Sequence, residues 1–462
     1  MFKRTKSFSA LASVFSLAAL PSLSFASGYA LNEQSASASG LANAGSAANP
    51  ENAAIQFFNP AGLTHLDKPQ VSGGIAFINV DTSFNGSATN TIGQPVDGSM
   101  GGDFVGTNVV PNLYYSTPIN DKWAAGIGVF APFGTSGDYN DDFVGRFFAD
   151  ETELKALAIQ PTIAYKVNDQ WSVGLGIDFI HAEGTLTKFQ DYSALSLPPT
   201  NIPSAFIKEG HFDVSGDDNA VGWNFGIMYQ PTADTTIGFN YKSKVEIELE
   251  GNASITNVPA ATNSNPPIAY MTLTEKAVVP LTLPESATLS LKQQLNTDWT
   301  LYAGATWTRW SQFENLDIFS GEAAGVGPVS ALAGPKYGQD GMIGHVPEQW
   351  ENVWAFSVGT SYAYSNAVTF KAGYAYDESP IQKEFRTARV PATDRNWFTV
   401  GAQYKMEGDW VLDGALGYLV IDDVKVNEYE YKVTGEKIGY SNLQGTYELS
   451  AYALALQLTK SF

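Results

Sequence analysis

Residues 446–462, "TYELSAYALALQLTKSF", carry the pattern that decides the fold. Tyr452, Leu454, Leu456, Leu458 and Phe462 are large and apolar, while Ala451, Ala453, Ala455, Gln457, Thr459 and Ser461 are small or polar. A repeat of two belongs to a strand with one greasy face. Residues 171–179, "WSVGLGIDF", set Trp171, Val173, Leu175, Ile177 and Phe179 against Ser172, Gly174, Gly176 and Asp178 in the same way. A soluble sandwich also alternates, but its strands are usually about five or six residues long. Here runs of about ten to eighteen residues recur along the chain, which suits a wall with lipid on one side and a wet lumen on the other.

The turns extend this reading. "NDKW" (120–123), "NDQW" (168–171), "NTDW" (296–299) and "EGDW" (407–410) each put Trp directly after a short polar turn. An indole at that place has apolar and wet neighbours at once, as the membrane–water boundary provides. "QPTADTT" (230–236) and "YSNAVTF" (364–370) are two further tight turns. Between them run longer polar connections, at 83–103, 132–153, 189–217, 251–270, 319–349, 379–391 and 424–444. Six tight turns and seven long connections predict an all-β transmembrane antiparallel β-barrel of fourteen strands: 69–82, 104–117, 121–131, 154–167, 170–188, 218–230, 235–250, 271–295, 298–318, 350–364, 367–378, 392–406, 409–423 and 445–462. An even number lets the first and last strands pair and removes the open edges.

Composition agrees. Of 462 residues only 16% are charged, 13% are aromatic and 43 are Gly. There is no cysteine, which excludes a disulfide framework and thiolate metal sites. Residues 1–26, with Lys3, Arg4 and Lys6, an apolar run and Ser24-Phe25-Ala26, read as a secretory signal peptide. The net charge is −21, and loss of those three basic residues makes it −24, which argues against nucleic acid as a partner. His65, His181, His211 and His345 are scattered and form no recognisable nucleophile or metal motif, so neither an enzyme nor a cofactor is expected.

Fourteen strands enclose more space than side chains fill; about eight is the limit. Residues 27–68 precede the first strand and lack its alternation. Irregular backbone at membrane depth must be buried in protein or line a cavity. The segment is therefore predicted to be an internal plug, and 69–462 the barrel. Within it, "NAAIQFFNPAGLTHL" (52–66) has Asn59-Pro60 to break a helix and Gly62 to permit a bend, with Phe57 and Phe58 seeking an apolar pocket.

The mature start "SGYALNEQSASASGLANAGSAA…NPAGL", "APFG" (131–134), "YDESP" (376–380), "VPATDRNW" (390–397) and the terminal Phe462 resemble the FadL-type outer-membrane transport proteins for long-chain fatty acids. The resemblance implies an N-terminal hatch, a kinked third strand that opens the wall sideways, capture of a hydrophobic cargo outside, transfer to an inner pocket, and exit into the membrane. It gives Phe57, Phe58, Asn59, Pro60, Ala61 and Gly62 the hatch role. In the third strand, Gly126 and Gly128, with Phe130 and Pro132, are the candidates for the lateral opening. For the capture groove it offers Leu195, Leu197, Ile202, Phe206, Ile207, Val258 and Ile268. At the pocket positions where some relatives carry cations it puts Glu183 and Asp317, both acidic. Either Arg386, Arg389, Arg395 or Lys188 then meets a carboxylate head group, or the cargo is uncharged. Arg386 and Arg395 also fit a structural reading, as lumen charges paired with Asp377 or Asp394.

The resemblance implies a monomer whose partners are a long-chain fatty acid or other hydrophobic ligand and the lipid and lipopolysaccharide of the outer membrane. Physics favours the sideways route, because each CH₂ moved into water costs about 0.8 kcal/mol, so a wet channel suits an acyl tail poorly. No phosphate loop suggests an energy source, leaving diffusion. A carrier of neutral hydrocarbons and a general diffusion porin are the alternatives.

Overall fold

The computed structural model describes residues 28–194, 208–261 and 268–462. The expected leader (1–26) and the groove candidates Leu195, Leu197, Ile202, Phe206 and Ile207 lie outside the described residues.

One antiparallel sheet closes on itself as fourteen staves. Nine are single strands: β1 (Gln70–Thr89), β2 (Gly106–Pro118), β3 (Trp123–Asp138), β4 (Glu151–Lys166), β5 (Trp171–Gln190), β6 (Gly210–Thr232), β15 (Val368–Asp377), β16 (Arg395–Met406) and β19 (Lys437–Ser461). Five are broken once: β7 (Thr235–Lys242) continues as β8 (Val245–Ala261), β9 (Ile268–Leu283) as β10 (Ser286–Gln294), β11 (Trp299–Thr308) as β12 (Asn315–Ser320), β13 (Met342–Pro347) as β14 (Val353–Ala363), and β17 (Trp410–Ile421) as β18 (Val424–Tyr431). The closing seam pairs β1 with β19 from Gln70↔Ser461 to Thr89↔Asn442.

The alternation resolves as the sequence predicts. On β19, Tyr452, Leu454, Leu456 and Leu458 are exposed, and Ala451, Ala455, Gln457 and Thr459 are buried. Three of the tight turns share one device. The Asn120 side-chain oxygen accepts from the N–H groups of Lys122 and Trp123, Asn168 does the same for Gln170 and Trp171, and Asn296 for Asp298 and Trp299. Asn is suited to this because its short amide mimics a backbone turn. Each Trp then lies against a tyrosine of the next stave: Trp123 on Tyr165, Trp171 on Tyr229 and Trp299 on Tyr362, with ring centroids 4.6, 4.2 and 4.8 Å apart.

Several stretches expected as loops are instead ladder: residues 83–89, 133–138, 210–217 and 437–444 continue β1, β3, β6 and β19. Residues 251–261 and 268–270 extend the β8–β9 pair as far as Ala261↔Ile268, and 424–431 pair with β19. Val258 and Ile268 therefore sit on strands rather than on a loop. These stretches are polar because they stand beyond the apolar band, and polarity without a lipid-facing stripe reads as loop. The stretch 319–349 holds a helix, Pro328–Tyr337, followed by β13.

Candidate functional site

The leading segment, residues 28–68, packs on the wall face opposite the lipid-facing side chains. It forms two single-turn helices, α1 (Ala36–Ser39) and α2 (Ile55–Phe58), and a 3₁₀ stretch, Pro60–His65; the helix at Pro328–Tyr337 is α3. Asn59 is fully buried, and its amide donates to Ala47 O (2.7 Å) and to Ile227 O of β6 (3.0 Å), while its oxygen accepts from Ala61 N (3.0 Å). Pro60 begins the 3₁₀ turn, where its missing donor is not needed.

The segment lies directly on glycine backbone. A Cβ at Gly174 would strike Ala61 N, at Gly226 Asn59 Oδ1, at Gly238 Ala47 O, and at Gly373 Leu41 C. Gly401 faces Gly40, and Gly126 faces Gln56 Oε1. Polar ties add to this seat. Lys371 Nζ of β15 lies 2.6 Å from Glu51 and 3.5 Å from Asp413, and Gln457 Oε1 of β19 accepts from Ser35 Oγ (2.8 Å) and Ala36 N (3.1 Å).

On β3, Gly126 and Gly128 hold regular register with both neighbours, Ser116↔Gly126↔Thr162 and Tyr114↔Gly128↔Gln160. They do not form the kink. It falls at Ala131-Pro132, where register shifts by one residue between Phe130↔Ala158 and Phe133↔Ala156. A proline cannot donate to a ladder, so a bulge there is where it fits. The β2–β3 ladder ends at Asn112↔Phe130, and the strands meet again where Asp138 N donates to Phe104 O at 2.7 Å. Phe130, the last residue in register, stacks edge-on against Phe57 of α2 at 4.9 Å. Lys242 Nζ lies over the Phe57 ring, 3.1 Å from its centroid.

The leading segment also fastens to the bulge itself. Leu31 N donates to Pro132 O (2.9 Å), Gly134 N to Tyr29 O (2.9 Å), and the Gln34 amide to Ala131 O (2.5 Å). Sequence reasoning singled out 57–62 within this segment and did not single out 29–34, which make these bonds. The signal available was Tyr29-Ala30-Leu31, a short alternating run.

Tyr29–Leu31 separates two cavities. One, beside the bulge, is lined by Leu31, Phe57, Phe58, Pro132 and Phe133. The other is an apolar inner pocket, lined by Leu154, Leu186, Val214, Leu249, Leu281 and Phe313 among others, with Tyr29, Arg389 and Glu348 in its wall. Arg389 is buried and donates to Glu151 O (3.1 Å), Thr152 Oγ1 (2.9 Å) and Thr187 O (3.0 Å), all uncharged acceptors. Glu348, in the connection between β13 and β14, accepts from Trp350 Nε1 at 2.8 Å. Burial pushes its carboxyl up to about 8, against the opposing pull of that bond.

An outer groove adjoins this pocket and shares Leu186, Leu316 and Arg389 with it. Val258, Phe212, Ile255 and Ile343 line the groove, with Lys188 and Lys336. The two lysines meet one carboxylate oxygen, Glu430 Oε1, at 3.0 and 2.7 Å. Ile268 is not among the groove residues. Glu183 is exposed and bonds His181, so it faces away from the pocket. Asp317 points away from its groove-lining neighbours Leu316 and Ile318 and pairs with His345 Nδ1 at 2.6 Å. Arg386 bonds Thr393 (3.2 Å) outside both cavities. Arg395 pairs with Asp377 at 2.6 Å, as the structural reading of these charges expects. Of the three arginines, Arg389 alone lines the pocket.

Comparison with known proteins agrees with this architecture. The chain is 27% identical over 452 residues to the long-chain fatty acid transport protein of Escherichia coli K12, covering 93% of this chain and 96% of that one. It is 29% identical over 468 residues to outer membrane protein P1 of Haemophilus influenzae, covering 95% of each. The fold resembles that of a Pseudomonas aeruginosa FadL homologue (TM-score 0.80, 24% identity, 94% and 99% covered) and of the Pseudomonas putida toluene transporter TodX (TM-score 0.66, 19% identity, 92% and 97% covered). Residues 17–462 match the model of the outer membrane protein transport proteins, and the chain belongs to this OMPP1/FadL/TodX family of outer-membrane transport barrels.

Proposed function

We propose that the protein carries long-chain fatty acids, or amphiphiles of that shape, across the outer membrane. The supporting observation is the continuity of an apolar groove and an apolar pocket at Arg389, a buried cation whose direct partners are all neutral. Such a guanidinium suits a carboxylate, and the apolar lining of groove and pocket suits an acyl tail. The likeness to a long-chain fatty acid transport protein supports the same cargo.

In this reading the cargo enters the groove, slides tail-first into the pocket and meets Arg389. Tyr29–Leu31 then leaves the bulge of β3, which joins the pocket to the cavity beside the interrupted β2–β3 ladder. The tail passes through that gap into the bilayer without crossing water. Residues 28–68 act as the hatch, with Phe57–Gly62 as its fixed root and Tyr29–Gln34 as its moving end. A carboxylate that draws Arg389 from its backbone partners on β4 and β5 supplies the differential affinity the shift needs.

The test is uptake of a labelled long-chain fatty acid and a labelled alkane, with wild type and Arg389→Met. Loss of a charge-assisted contact worth roughly 1.5–3 kcal/mol is expected to cut acid uptake about ten- to a hundredfold and leave the alkane unchanged. Alkane uptake that equals that of the acid, with no effect of the substitution on either, would transfer the protein to the hydrocarbon carriers.

Glu348 adds a pH dependence. With its carboxyl held near 8, it is protonated at neutral pH and ionises above that. Acid binding is expected to be flat from pH 6 to 7 (roughly) and to weaken as pH rises past about 8, when a second carboxylate appears in the pocket. Glu348→Gln should abolish the fall, and a Kd titration across this range reads it directly.

A further inference from the structure

We infer that Tyr139, at the upper end of the β2–β3 gap, is a positioning residue for head-group recognition: its hydroxyl holds the backbone that carries Arg389. The inference rests on the reading of Arg389 as the carboxylate partner.

Arg389 sits in the connection between β15 and β16, and its guanidinium reaches across the lumen to β4 and β5. A side chain of that length aims accurately only if its backbone is fixed. The preceding residue, Ala388, is fully buried and is held at both ends. Its N–H donates to Glu428 Oε2 at 2.7 Å, and its carbonyl accepts from the Tyr139 hydroxyl at 2.7 Å. The Tyr139 ring cannot swing. It is stacked between Phe104 (4.1 Å, 14°) and Phe143 (4.2 Å, 4°).

The hydrogen-bond arithmetic gives a direction. Tyr447 Oη lies 3.1 Å from Tyr139 Oη. A carbonyl cannot donate and a phenol has one proton, so of the two acceptors within reach of the Tyr139 hydroxyl the nearer, Ala388 O, takes the main share of it. Tyr139→Phe therefore removes the tie to Ala388 while keeping the stack, whereas Tyr447→Phe removes a neighbour and keeps the tie. Tyr139 touches neither cavity; its effect must travel through Arg389.

The measurement is equilibrium binding of palmitate and of hexadecanol to purified full-length protein, for wild type, Tyr139→Phe, Tyr447→Phe and Arg389→Met. Tyr139→Phe is expected to lower the acid-over-alcohol preference roughly fivefold, the size of one buried hydrogen bond, with alcohol affinity unchanged. Tyr447→Phe should keep the wild-type preference. An unchanged preference in Tyr139→Phe, or an equal fall in both tyrosine variants, overturns the inference. Unchanged alcohol affinity shows that the barrel and pocket are intact. Arg389→Met separates the two levels: if it leaves the preference untouched, the reading of Arg389 fails, and if it abolishes the preference while Tyr139→Phe does not, only the role of Tyr139 fails.

Discussion

Gly226→Val is expected to turn a silent barrel into a conducting one. A Cβ at Gly226 would fall on Asn59 Oδ1 and lie 2.8 Å from Pro60 Cδ. Valine is branched at that carbon and has no rotamer that withdraws it. The root of the leading segment must lift, and Asn59 loses the bonds that join it to Ala47, Ile227 and Ala61. The wall itself should persist, because the β6 ladders use backbone groups that the substitution leaves alone. Single-channel recording in planar bilayers is expected to show steady open currents for the variant and near-silence for wild type. Gly73→Val is the control. It points outward, where a Cβ would meet only Leu113 Cδ1 at 3.5 Å, and it should stay silent. A folded Gly226→Val barrel without current would mean that residues 28–68 are not the seal, and large steady currents in wild type would favour the porin alternative.

Deletion of Ala131 is expected to abolish uptake while sparing binding. β3 carries one residue more than β4 between Phe130↔Ala158 and Phe133↔Ala156. Removing it lets the two strands run in unbroken register and swings the upper part of β3 toward β2, where the ladder now stops at Asn112↔Phe130. The inner pocket lies on the far side of Tyr29–Leu31 and keeps its apolar walls. Uptake should fall at least about tenfold, a barrier increase of about 1.4 kcal/mol, with the Kd for the acid within about threefold of wild type. Transport at the wild-type rate through a closed β2–β3 wall would place the exit elsewhere.

The wall was legible because lipid imposes a strict rule on every second residue. Trp171, Leu175 and Phe179 declare their face in the sequence and keep it in the structure. The same parity, carried a few residues further, puts Glu183 on the outside, a consequence that resemblance to relatives had obscured. Beyond the apolar band the rule lapses. "VKVNEYEY" alternates, but its buried face mixes Val424 and Val426 with Glu428 and Glu430 and its other face carries Lys425 and Asn427, so β18 reads as loop. The bulge was half legible: Pro132 marks it, while Gly126 and Gly128 compete for the same role and instead accommodate Gln56 and Tyr114. The pocket was least legible. Arg386, Arg389 and Arg395 stand within ten positions of one another, and which of them lines the pocket depends on how one connection is folded, through contacts such as Tyr139 to Ala388.

The tie between α1 and Gln457 has a bearing on biogenesis. Ser35 and Ala36 come early in the chain, yet their acceptor arrives with its final strand. Every other stave can be in place and this contact still cannot form. If residues 28–68 are the seal, as proposed, closure waits for the complete cylinder, and a chain truncated short of its last strand is expected to remain ajar.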